Sequence, residues 1–182
     1  MNLSKTQFPI VLRFYTKWNL PLAEAKAEKF MNLLMIDGKK TKAYNIFYKS
    51  LKFIENKKFI NLFESSINRA GSTPQTTILA RNLIFKAIEN IKPSVEVRKV
   101  RKGGITYQVP ALISEKRQET LAIRWIIDAA KHRKKNSKLT FAECLALELI
   151  EASKKLGKPR QKRDELHKLA ESNRAYIRFR WW

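Results

Sequence analysis

A mainly α fold, a single helical bundle of about six helices with one protruding basic β-hairpin over residues 94–111, is what this sequence predicts. Apolar residues recur at i, i+3, i+4 and i+7 through most of the chain, the signature of amphipathic helices. Only one stretch, VEVRKVRKGGITYQVPA from Val95 to Ala111, alternates around a glycine pair. The connections between the periodic segments are short, which suits one packed bundle. With 182 residues and 44% hydrophobic composition the chain can bury a real core as one domain. The sequence shows neither an internal repeat nor a low-complexity linker.

The elements follow in order. Ala27, Phe30, Met31 and Leu34 share one face of a helix over about 22–35, ended by Asp37-Gly38. Lys39-Lys40 open a second, with Ala43, Ile46, Phe47, Leu51 and Ile54 on one stripe. In KFINLFESSINRAGSTPQ, Phe59, Leu62 and Phe63 suggest another helical turn or two before the Gly71–Pro74 break. Ala80, Ile84, Ala87, Ile88 and Ile91 mark a helix that stops before Pro93. After the hairpin, Leu121, Ala122, Trp125, Ile126 and Ala129 form an apolar face, and that helix runs out in HRKK. Ala142, Leu145, Ala146, Leu149, Ala152 and Leu156 give the cleanest stripe, and a last helix holds Leu166, Leu169, Ala170, Asn173 and Ile177.

Charge narrows the function. Lys and Arg number 38 against 16 Asp and Glu, a net +22 with a pI near 10.3. A folded domain keeps that much like charge when a polyanion neutralises it, because self-repulsion otherwise opposes compaction. Nucleic acid leads and an anionic membrane surface comes second. The charges also cluster. Arg117, Arg124 and Lys131 line one helix face, and Arg163, His167, Arg174 and Arg178 share a side of the last helix, entered through KPRQKR. Residues 136–153 instead set Lys138 against Glu143, Glu148 and Glu151, as expected of a helix facing away from the polyanion. One charge run is usually a solvated face; several on separate elements point to nucleic acid.

A two-residue Gly103-Gly104 turn fixes the hairpin register, setting Lys102 opposite Ile105, Arg101 opposite Thr106, Val100 opposite Tyr107 and Lys99 opposite Gln108. One face then carries Arg98, Val100, Lys102, Ile105, Tyr107 and Val109, and the other Val97, Lys99, Arg101, Thr106 and Gln108. A lone hairpin is marginal in water, so an apolar base of Val95, Val97 and Val109 is expected to dock on the helices while the basic tip projects. Arg and Lys there suit phosphates, and Tyr107 suits stacking on a base. The plainer alternative is an edge hairpin whose charges deter aggregation.

Other chemistry finds little support. The single cysteine, Cys144, excludes an internal disulfide and a zinc cage, and its place beside an apolar stripe suits a small core residue. His132 and His167 lack metal spacing; His167 suits a phosphate or base contact and His132 a solvated one. Glu115 with Glu119, and Glu148 with Glu151, read as ordinary helix-surface acids. Gly103-Gly104 sits in no phosphate-loop pattern, and Trp125 reads as core. Trp181 and Trp182 suit packing on a neighbour or a base. No catalytic residue, metal or cofactor is expected, so the chain is not read as an enzyme. The alternative kept open is a DNA-binding helical regulatory protein, though no dimerisation heptad is present and no homo-oligomer is expected. No apolar run approaches the roughly 20 residues that span a bilayer. Residues 1–23 hold no acid and mix Lys5, Arg13 and Lys17 with aromatics, a composition like a mitochondrial targeting segment. The reading preferred is a basic, partly extended arm over residues 1–21, preceding a helical domain over 22–182.

The runs FMNLLMIDGKKTKA, ENIKPSVEVRKVRKGGITYQVP, RQETLAIRWIIDAAKHR and KRDELHKLAESNRAYIRFRW, in that order, resemble the universal small-subunit ribosomal protein seven family over about residues 22–182. The resemblance implies a helical domain with one protruding hairpin. It further implies binding to the 3′ major domain of small-subunit rRNA, organisation of head assembly, and a hairpin near messenger RNA and exit-site tRNA. Neighbouring head proteins are the other implied partners, with no membrane. Carried over by residue, the rRNA-facing positions are Lys39, Lys40 and Lys42 in the basic turn and Arg98, Lys99, Arg101 and Lys102 in the hairpin. Arg117, Arg124 and Arg133 follow on the next helix, then Lys162, Arg163, His167 and Arg174 in the last motif. Lys99, Arg101, Lys102 and Tyr107 are those implied near mRNA and tRNA. The chain departs from bacterial members in its QFPIVLRFYTKW arm, in a longer stretch around 57–75, and in ending at RFRWW. A terminal Arg-Trp-Trp is similar to mitochondrial members, and low Gly with frequent Lys, Asn and Ile fits an AT-rich organellar genome. Mitochondrion is therefore expected over chloroplast or bacterium.

Overall fold

The computed structural model describes residues 21–55 and 76–182. In chain order the elements are α1 (Pro21–Leu34), α2 (Lys40–Glu55), α3 (Thr76–Ile91), β1 (Val95–Lys102), β2 (Ile105–Leu112), α4 (Glu115–Lys135), α5 (Phe141–Ser153) and α6 (Lys158–Ser172). A 3₁₀ helix (Arg174–Phe179) follows. The fold is mainly α with one hairpin, as the sequence predicts. The aromatic arm and the helical turns expected in KFINLFESSINRAGSTPQ lie outside the described residues.

At the centre stands α5, packed against α2, α3 and α4. Ala142, Cys144, Leu145, Ala146, Leu149, Ile150 and Ala152 are all buried, so it is apolar nearly all round, the condition for an interior helix. Leu145 and Leu149 are fully inaccessible, each contributing about 1.5–3 kcal/mol by burial. The expectation of a helix facing away from the polyanion becomes a helix facing inward. Its acids serve the fold: Glu143 completes a capping box with Thr140, while Glu148 and Glu151 pair with Arg133.

Around α5 the stripes expected from the sequence meet. Phe30, Met31 and Leu34 of α1 join Phe47, Leu51 and Ile54 of α2, with the Phe30 and Phe47 ring centroids 5.1 Å apart. Ile84, Ala87, Ile88 and Ile91 of α3 and Ala122, Ile123 and Ile126 of α4 close the core, with Trp125 partly buried against it. Cys144 is buried, as expected of a core residue.

Two helix ends differ from the periodicity. Leu156 extends the α5 stripe in sequence, yet it is 60% exposed. The Leu156 N–H donates to Glu151 O at 2.9 Å and the Lys155 N–H to Ala152 O at 3.0 Å, with Lys155 at φ 62°. That is a Schellman ending, and it turns the chain out before Leu156. The expected single last helix is also two elements. Asn173 donates to Leu169 O from both its backbone N–H (3.2 Å) and its side-chain amide (2.8 Å), ending α6 and leaving Ile177 44% exposed on the 3₁₀ segment.

The hairpin register is the predicted one, with Lys102 opposite Ile105 and Val100 opposite Tyr107. Gly103 (φ 59°) and Gly104 (φ 82°) supply the positive φ pair that a tight two-residue hairpin turn requires. Its packing corrects the expected apolar base. Val95 and Val97 are half-buried, whereas Glu96, Val109 and Ala111 are buried. The inner face is thus the one bearing Glu96, Arg98, Val100 and Lys102, and it lies along α6 and the 3₁₀ segment. The expectation of a hairpin docked only at its base is revised accordingly, because terminal aromatics cover this face as far as Lys102.

Candidate nucleic-acid interface

The basic positions expected from the sequence divide by what their charges already meet. In the α1–α2 turn, built on positive φ at Asp37 (53°) and Gly38 (70°), Lys39 lies 3.5 Å from Asp37 and Lys40 lies 3.3 Å from Glu28. Both pairs are solvent-exposed, the kind worth little and readily exchanged. Lys42 is exposed and forms no ion pair among the described residues.

On the hairpin, strand alternation separates two classes. Lys99 and Arg101 point to the outer face, are exposed, and form no ion pair among the described residues. Arg98 and Lys102 point inward. The Arg98 Nε donates to Glu96 Oε1 at 2.9 Å and its guanidinium lies 5.2 Å over the Trp182 ring. Lys102 Nζ sits 4.8 Å over the Phe179 ring. Tyr107, expected to stack on a base, is half-buried and engaged with Phe179 (centroids 4.7 Å) and Tyr176 (5.2 Å).

Glu96 is the residue that the sequence reading passed over. Its second oxygen accepts from Arg117 Nε at 2.8 Å, so one carboxylate ties β1 to α4. Burial opposes its ionisation, but the hydrogen bonds from Arg117 and Arg98 win and hold the carboxyl below its ordinary value of 4.5. A lone acid in a basic strand was the available signal. Glu119 plays a like part between helices, with Lys26, Lys29 and Lys92 all within 3.5 Å of its carboxylate.

Arg133 is different in kind. It donates to Glu148 at 2.7 Å and Glu151 at 2.6 Å, so its charge is spent inside the bundle. Arg124, Lys162 and Arg174 are exposed and without ion pairs among the described residues. Arg163 pairs with Asp164 and donates to Asn90 O at 3.0 Å; Arg160 donates to the same carbonyl at 2.8 Å. The Asn90 amide in turn donates to Ala152 O (3.0 Å) and Ser153 O (2.9 Å). His167 Nε2 accepts the Ser94 N–H at 3.2 Å, which puts its ring proton on Nδ1. Burial and the neighbouring Arg163 and Arg160 push the imidazole below its usual range against the pull of Asp164, so it is neutral near pH 7.

Exposed cations therefore gather on the outer hairpin face (Lys99, Arg101), in the basic turn, and along α4 and α6. Such cations suit phosphate contacts, each worth most at low salt. Among the described residues no His, Cys, Asp or Glu group could hold a metal ion, and no helix is long and apolar enough to cross a membrane.

Comparison with known proteins gives a consistent match. The family model described as ribosomal protein S7p/S5e matches residues 9–174. The small ribosomal subunit protein uS7m of Prototheca wickerhamii is 39% identical, over 86% of this chain and 89% of the relative. The uS7m of Marchantia polymorpha is 42% identical over 85% of this chain, which spans 59% of that longer relative. The uS7 of a Nitratiruptor species is 43% identical over 84% of this chain and 85% of the relative.

Proposed function

The chain belongs to the ribosomal protein S7p/S5e family, and from that premise we propose that it is a structural, non-catalytic constituent of the small ribosomal subunit that binds the 3′ major domain of its rRNA. In this reading the domain from residue 22 onward organises the subunit head, the arm over residues 1–21 reaches neighbouring head proteins, and the outer hairpin face lies near messenger RNA and exit-site tRNA. The protein acts as a single copy, within the mitochondrial ribosome. The uS7m names of the Prototheca and Marchantia relatives support that address, although bacterial relatives are similarly close.

The observation that carries the RNA reading is the two-faced hairpin. All four hairpin cations are exposed, but the inner ones are held by Glu96 and aromatic rings, while Lys99 and Arg101 form no ion pair among the described residues and stand on a strand pair locked in place. Fixed cations need no reordering to meet fixed phosphates, and release of counterions supplies much of the affinity. Lys42, Arg124, Lys162 and Arg174 extend the contact. Lys39, Lys40, Lys102, Arg98 and Arg117 contribute to the field, and His167 offers Nδ1–H as a donor.

The test is binding of the full chain to a 3′ major domain fragment and to duplex DNA of equal length across a salt series. A steep salt dependence with a clear preference for the rRNA fragment is expected; equal affinity at moderate salt would sink the ribosomal reading. Lys99→Ala with Arg101→Ala should leave folding intact and flatten the log–log salt slope by about 0.7–0.9 for each phosphate no longer neutralised.

A further inference from the structure

Trp181 is 80% exposed. Single exposed apolar residues are ordinary, so exposure by itself says little. What separates Trp181 is how firmly it is supported. Its ring meets Trp182 edge to face, with centroids 5.7 Å apart and planes at 83°. Trp182 lies under the Arg98 guanidinium, Arg98 is held by Glu96, and Glu96 is held by Arg117 of α4. The open indole thus stands at the end of a line of contacts rooted in the helical bundle. A T-shaped contact engages at most one face of either ring, so at least one face of Trp181 remains for a ligand.

The charge around that face selects the ligand. The stretch RFRWW alternates cations with aromatics, and after Glu171 the sequence contains Arg174, Arg178 and Arg180 and no acid. Arg178 and Arg180 are both exposed. A protein neighbour would have to bring acids for the arginines as well as an apolar surface for the ring. Single-stranded RNA brings a π-face and a phosphate with every nucleotide, the combination that aromatic-and-cation surfaces bind.

We propose that Trp181 is a stacking platform for an unpaired base of single-stranded RNA, with Arg178 and Arg180 taking the flanking phosphates. The proposal rests on reading the chain as an RNA binder and assigns the base contact that the hairpin does not provide, since Tyr107 is already packed against Tyr176 and Phe179.

The experiment compares the full chain with Trp181→Ala and Trp181→Phe, by fluorescence anisotropy of a labelled oligoadenylate and of an abasic backbone of equal length. Binding of each protein to the 3′ major domain fragment is measured in parallel. Trp181→Ala should weaken oligoadenylate binding about 5- to 100-fold, leave the abasic backbone unchanged, and be largely rescued in Trp181→Phe. Undiminished oligoadenylate binding by Trp181→Ala, or equal loss on both probes, overturns the platform. So does a variant that keeps full RNA affinity yet fails to enter the small subunit, which would assign Trp181 to a protein neighbour. Failure of the unaltered chain to bind the rRNA fragment would instead overturn the RNA reading itself.

Discussion

Arg133 in the bundle and Arg98 in the hairpin layer are both guanidinium groups bonded to a glutamate, yet their surroundings are inverted. In the bundle two carboxylates, Glu148 and Glu151, share one cation. In the hairpin layer one carboxylate, Glu96, serves two cations, and aromatic rings support Arg98, Lys102 and Arg178 without neutralising them. A ring face steadies a cation by its quadrupole and leaves the net charge in place. The Arg133 cluster thus consumes positive charge to fold, while the hairpin layer orders it and keeps it available to a polyanion. A count of basic residues does not distinguish the two.

The largest effect separating the regions is expected at Leu149, fully buried in α5. Leu149→Ala should cost about 2–5 kcal/mol in urea unfolding, by lost burial and the cavity left behind. A loss under about 1 kcal/mol would mean that α5 is not the centre of the core.

Next comes Arg133→Met, which leaves Glu148, 2% exposed, without its cation. About 3 kcal/mol should be lost, much of it recovered in the double variant with Glu148→Leu, since an apolar pair replaces a buried ionic one at little cost. Failure of the second change to restore stability would show that the pair is not the source of the loss.

Acid should then act in opposite directions on Glu96 of the hairpin layer and Glu148 of α5. Glu96 has its folded value held below 4.5, so its contribution to hairpin docking is complete above 4.5 and lost as pH falls through the depressed value. Glu148 is pushed up by burial, against the pull of Arg133, and its Oε2 is buried without a hydrogen-bond partner among the described residues. Its contribution is complete below 4.5 and lost as pH rises through the raised value. Amide exchange should therefore show protection at Val109 and Ala111 fading on acidification before protection at Leu145 does. Simultaneous loss would merge the two regions into one.

The smallest effect is expected for Phe179→Ala, which removes a ring packed on Tyr107 and the support under Lys102. About 1 kcal/mol should be lost, read as faster exchange in β2 with the bundle unchanged.

Local rules made much of this legible in the sequence. The Gly103-Gly104 pair dictated the register of every hairpin position, and the helical stripes named the core because each repeats within one element. The site was less legible, because its sorting depends on partners far apart in the chain. Arg133 meets acids 15 and 18 residues away, Arg117 meets Glu96 across 21, and Ser94 meets His167 across 73. Spacing rules carry no information at such separations. The cover over Tyr107 escaped for the same reason: strand alternation reveals two faces but not which one the RFRWW stretch lies on. Glu143, counted only among the acids of a helix expected to face away from the polyanion, carried a legible signal in Thr140-x-x-Glu143.

The junction at Asn90 has a consequence for how the molecule comes apart. Its side chain completes the last carbonyls of α5, and its own carbonyl, near the end of α3, is completed by Arg160 and Arg163 of α6. The end of α5 thus depends on α3 and a carbonyl near the end of α3 on α6, so neither α3 nor α6 can pull away without stranding carbonyls on another helix. Three separate segments are thereby tied into a single melting unit through one asparagine.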